Sequence, residues 1–135
     1  MDREDVNNSD QVRPRWFIDP NWYESHNRSF SSLARERLCP KCRRRLKADE
    51  REIPEAELLT AIKDCCSQKP DFITCNSPVL ESIFRLLLAN GNQPLDLEEL
   101  GKQLSERCEG ARHSPEILSR LLEHDQYYGL SQVAV

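Results

Sequence analysis

The chain has 135 residues, 38% of them apolar, with a mean hydropathy of −0.71 and a formal charge of −4. That length suits one compact domain or two small ones. No run approaches the roughly 18 apolar residues of a membrane span, which excludes a helical membrane protein. Charge is unevenly placed. From Arg28 to Lys47 eight basic residues stand against Glu36 alone, whereas Ser77 to Val135 carries five basic and nine acidic residues. A basic segment beside an acidic one points to a nucleic acid or an acidic protein surface as a partner of the first half only.

Met1 to Pro14 lacks apolar periodicity and reads as a disordered tail; it is polar and acidic, unlike a signal peptide, so a cytoplasmic location is expected. The run from Trp16 to Tyr23 then gathers Trp16, Phe17, Trp22 and Tyr23 around an Asp19-Pro20-Asn21 turn. These four aromatics either pack back over the following module or dock in a partner's groove, where large rings contribute most of the binding energy. Ser29 can cap a helix through about Leu38, ended by the Cys39-Pro40-Lys41-Cys42 turn and the basic stretch Arg43 to Lys47. Pro54 opens a second helix running to about Cys66, and Phe72 to Cys75 reads as a short extended piece.

Ser77-Pro78 caps the next helix, whose apolar stripe is Val79, Leu80, Ile83, Phe84, Leu87 and Leu88. Gly91 can take the left-handed conformation that ends it. A short strand from Gln93 to Leu95 follows. Asp96 with Glu99 starts a further helix, and Ser114-Pro115 starts a last one. Tyr127 to Val135 reads as a strand. The fold expected is mainly α with short strands, in three parts: the tail 1–14, an aromatic and metal-binding module 15–76, and a helical module 77–135.

The chemistry lies in the cysteines. In a reducing compartment a Cys cluster means metal or redox work rather than disulfides. A Cys-x-x-Cys turn can place two sulfurs on one ion, and zinc takes four such ligands in a closed tetrahedron. Cys39, Cys42, Cys66 and Cys75 are the expected ligands of a structural zinc, with Cys65 as substitute for Cys66. Adjacent helical residues point about 100° apart, so Cys65 and Cys66 are not expected to share an ion. His26 is a reserve ligand. Free buried thiols and a redox dithiol are the competing readings, and Cys108 is expected to stand as an ordinary thiol. Cys39-Pro40-Lys41-Cys42 resembles the knuckle of zinc-ribbon and treble-clef proteins, though a second Cys-x-x-Cys is missing.

Residues 77–135 resemble a winged-helix domain in the order helix, short strand, helix, helix, strand, and in Leu100-Gly101-Lys102-Gln103-Leu104. In members that read DNA the third helix enters the major groove and needs Arg, Lys, Asn or Gln outward. Here it offers Glu116, Ser119, Arg120, Glu123, His124 and Asp125, which repels phosphate, and the chain stops before a second wing strand could return. The resemblance therefore implies a scaffold, and this surface favours a protein-binding or dimerising winged helix over a DNA reader, with a plain helical packing unit as the competing reading. The basic set Arg35, Arg37, Lys41, Arg43, Arg44, Arg45 and Lys47 keeps nucleic acid open as the alternative partner, against a plain solvated turn balanced by the acids that follow. No Gly-rich phosphate loop, Ser-centred elbow or His-Glu-x-x-His is present, so neither an enzyme nor a small-molecule substrate is expected. The function expected is a non-enzymatic zinc-containing adaptor or regulatory subunit.

Overall fold

Trp16 and Ile18 are buried while Phe17 between them is only half-buried, the alternation of a strand with one face on a core. In the computed structural model, which describes residues 14–108 and 113–133, this segment is strand β1, Arg15–Ile18. The tail expected over 1–14 lies outside the described residues, apart from Pro14. β1 sits in the middle of a three-stranded antiparallel sheet. On one side it pairs with β2, Leu95–Asp96, in the register Trp16 to Leu95. On the other it pairs with β3, Leu130–Gln132, matching Trp16 to Gln132 and Ile18 to Leu130. The strand expected from Tyr127 thus begins later. Asp125 Oδ1 accepts the Tyr127 and Tyr128 N–H groups at 3.0 Å each and holds both residues in a bend before it.

Asp19 does not make a plain turn. Its carboxylate accepts the Asn21 N–H at 3.0 Å and caps helix α1, Pro20–Ser25. Ser29 caps α2, Phe30–Arg35, accepting the Ser32 N–H at 3.1 Å. The Cys39-Pro40-Lys41-Cys42 segment does not end a helix; it starts one, α3, Pro40–Arg45, because Pro40 takes the first position, where its missing N–H removes no bond. Helix α4, Glu55–Asp64, stops one residue short of the first vicinal cysteine, and a 3₁₀ turn covers Cys66–Gln68.

The second half follows the expected order: α5 (Val79–Ala89), β2, α6 (Leu97–Arg107), α7 (Pro115–Glu123), β3. Asp96 caps α6 through the Glu99 N–H at 2.8 Å, and Ser114 caps α7 through the Ile117 N–H at 3.3 Å. Ser77 does not cap α5; its hydroxyl pairs with Thr74 Oγ1 at 2.9 Å instead. Gly91 has φ +79° as expected, and Asn92 beside it is also left-handed at +64°. The Asn92 amide then grips the end of β1, accepting the Ile18 N–H at 2.8 Å and donating to the Ile18 carbonyl at 2.9 Å.

One continuous core runs through both halves. It joins Leu33, Leu38, Leu58 and Ile62 to Ile83, Phe84, Leu87, Leu100, Leu118 and Leu122. The sheet crosses the boundary expected at residue 76, since β1 belongs to strands from the other side of it. At the seam lies Glu81, 13% exposed, with its carboxylate held by Arg37 (2.6 and 3.0 Å), Arg85 (2.6 Å) and the Tyr128 hydroxyl (2.9 Å). Arg37 also donates to the Leu33 carbonyl at 2.9 Å and lies over the Phe84 ring. Among the described residues no helix is long and apolar enough to cross a membrane.

Candidate metal centre

Three thiols converge where α3 begins and α4 ends. Cys39, Cys42 and Cys65 place their sulfurs within 4.8 Å of one another, close enough to hold a metal ion. A tetrahedral zinc with bonds of about 2.3 Å sets its sulfurs about 3.8 Å apart. The Cys39 and Cys65 sulfurs are 4.0 Å apart, so this donor set fits a single small thiophilic ion.

Local sequence explains the convergence. Cys39 is the N-cap of α3, with extended φ −73° and ψ 160°, and Cys42 lies one turn on. The Cys42 N–H can therefore reach back to the Cys39 sulfur. Cys65 has φ −129° and ψ −62°, which breaks helical geometry, and Cys66 opens the 3₁₀ turn. The 100° separation expected of vicinal helical residues therefore does not apply, and both side chains face the knuckle. Cys65 reaches the Cys39 sulfur, while the Cys66 sulfur accepts the Cys39 N–H at 3.1 Å.

The thiols differ in electrostatics. Burial raises Cys39, but hydrogen bonds from the Cys42 amide and the neighbouring thiols outweigh it and bring the group down to about 7. Burial pushes Cys66 up to about 12. Arg45 lies outside the cluster with a guanidinium nitrogen 3.7 Å from the Cys42 sulfur.

Of the four ligands expected from sequence, Cys39 and Cys42 stand in the cluster and Cys66 touches it. Cys75 does not approach it. It is joined in a disulfide to Cys108, across Cα atoms 5.3 Å apart, and Cys65 takes the place left in the trio. Cys108, expected as a lone thiol, is thus paired. Nothing local announces that bond, because the two residues lie 33 positions apart. His26, the reserve ligand, stacks on Trp22 with ring centroids 4.1 Å apart and accepts no role at the thiols.

The seven basic residues divide. Arg37 is drawn inside, its side chain 8% exposed, because Glu81 and the Phe84 face hold it. Arg43 is tethered to the Arg35 carbonyl at 2.8 Å and to Asp49 at 3.4 Å. Lys41, Arg44, Arg45 and Lys47 are exposed on and just after α3. The four aromatics expected at a docking surface pack inward: Trp16 and Tyr23 are 4% and 3% exposed, and Phe17 and Trp22 are half-buried. They cover the second half rather than the thiols, since the Tyr23 hydroxyl donates to the Tyr128 carbonyl. Compared with protein-family models, curated proteins and solved structures, the chain matches none of them.

Proposed function

We propose that the protein is a non-enzymatic, zinc-stapled docking module, an adaptor or regulatory subunit whose partner is another protein. The observation that carries this reading is the convergence of Cys39, Cys42 and Cys65. Zinc binding would supply folding energy to a front half whose helices are only six to ten residues long, too short to stand alone. An ion enclosed by thiolates offers no position for a reacting water, which favours a structural role over hydrolysis.

The rest of the molecule resembles a winged helix with its strands in an unusual order. Strand β1, from the front half, takes the middle of the sheet between β2 and β3. The helix in the reading position is α7, with Glu116 and Glu123 exposed beside Arg120, and Ile117 45% exposed. Acid repels phosphate, and an exposed isoleucine among charges suits a protein surface with basic residues around an apolar pocket. Because Trp16 and Tyr23 are core, docking falls to this face.

Metal analysis of anaerobically purified protein tests the reading: one zinc per chain is expected, and metal-free protein with every thiol titratable would end it. A second reading has its own observation, the four exposed cations Lys41, Arg44, Arg45 and Lys47 on one short segment, which could grip a nucleic-acid backbone. Binding that weakens steeply with salt, and less steeply once Lys41, Arg44 and Lys47 are alanine, would favour nucleic acid; no binding at low salt would remove it.

A further inference from the structure

We infer that Cys66 is the fourth ligand, so that the ion at Cys39, Cys42 and Cys65 is closed off by thiolates on every side. The inference rests on the metal reading above. Zinc in a structural site takes four protein ligands, and the trio leaves one position to fill. The choice lies among Cys66, the Asp64 carboxylate next to Cys65, and water.

Two observations favour Cys66. Its thiol is 1% exposed and lies against the same knuckle, accepting the Cys39 N–H at 3.1 Å. Its sulfur lies outside the 4.8 Å set formed by Cys39, Cys42 and Cys65, so it closes in on the ion when the metal binds. The break at Cys65 frees the two vicinal side chains from helical divergence, which is what one ion between them requires. Asp64 is the weaker candidate: it is exposed, and it lines an open cleft with Arg45 and Thr60. Water is the stronger competitor, since the cavity of about 160 Å³ beside Cys39 and Cys66 is also lined by Arg37, Lys69, Asp71 and Arg85, and the thiolate count below separates the two.

Charge supports a closed site as well. Four thiolates around a divalent ion leave an excess of two negative charges, and a buried excess needs a counter-charge. Arg45 supplies one at 3.7 Å from the Cys42 sulfur.

Cobalt(II) substitution of the full chain under anaerobic conditions tests the assignment, because the intensity of the sulfur-to-cobalt charge-transfer band counts thiolates. Four are expected in the wild type. Cys66→Ser should lose about a quarter of that intensity and bind zinc at least ~10-fold more weakly, whereas Asp64→Asn should change neither. If Cys66→Ser fails to fold, the wild-type count decides by itself. A wild-type count of three, with zinc still bound at one per chain, would overturn the role of Cys66 and leave the metal reading standing. Failure of the wild type to take up either metal would overturn both.

Discussion

Glu81 is a carboxylate with three donors. Burial raises its pKa, yet Arg37, Arg85 and Tyr128 together lower it from an ordinary 4.5 to about 2. A depressed carboxylate stabilises the fold above its unfolded value and loses that contribution as pH falls through the folded one. Stability should therefore drop by about 3 kcal/mol between about pH 4.5 and pH 2 in the wild type. Thermal melts of Glu81→Gln should show a much flatter slope over that range and a lower midpoint throughout, because Arg37 is left buried without its partner. Gly129 makes a sharper steric case. It has φ +69°, and a Cβ there would lie 2.6 Å from a Tyr23 ring carbon. Gly129→Ala should cost about 2–4 kcal/mol, read from the urea midpoint. Residues such as Cys39 and Cys42 were legible in the sequence because their spacing is itself the signal. Glu81 was not, since its partners come from positions 37, 85 and 128.

Helices declared themselves through caps and stripes: Ser29, Asp96 and Ser114 each cap where the sequence placed them. Three elements escaped, the first being α1, whose Asp19-Pro20-Asn21 start reads as a turn. Helix α3 hides behind Cys39-Pro40-Lys41-Cys42, where a proline that opens a helix looks like one that ends it. Strand β1 hides behind its aromatics, because four residues give too little alternation to stand out. The ends of α4 mattered most for the site. Extending it by two residues made Cys65 and Cys66 diverge, whereas its stop at Asp64 lets them converge. The Cys75–Cys108 bond ties the loop before α5 to the C-cap of α6. Closing its 33-residue separation should stabilise the protein by roughly 3–4 kcal/mol through the unfolded chain. The Cys75→Ser, Cys108→Ser double variant should lose that amount in denaturant titrations while keeping its metal.

At the scale of the molecule, the division into two modules that composition suggested gives way to one core. Charge and cysteine content differ along the chain, but Leu58 and Ile62 pack into the same cluster as Ile83 and Leu87, and only the folded structure reveals such distant partners. Metal removal should therefore not melt a front half alone. Chelation is expected to lower the midpoint of a single cooperative transition, followed by circular dichroism and tryptophan fluorescence together; two separated transitions would argue for independent modules. The sheet carries an implication for biosynthesis. Its central strand leaves the ribosome more than a hundred residues ahead of β3, since Trp16 pairs with Gln132. A nascent chain must shelter an aromatic strand with at least one edge bare until β3 follows, so ribosome-associated chaperones should engage Trp16 to Tyr23 over that interval.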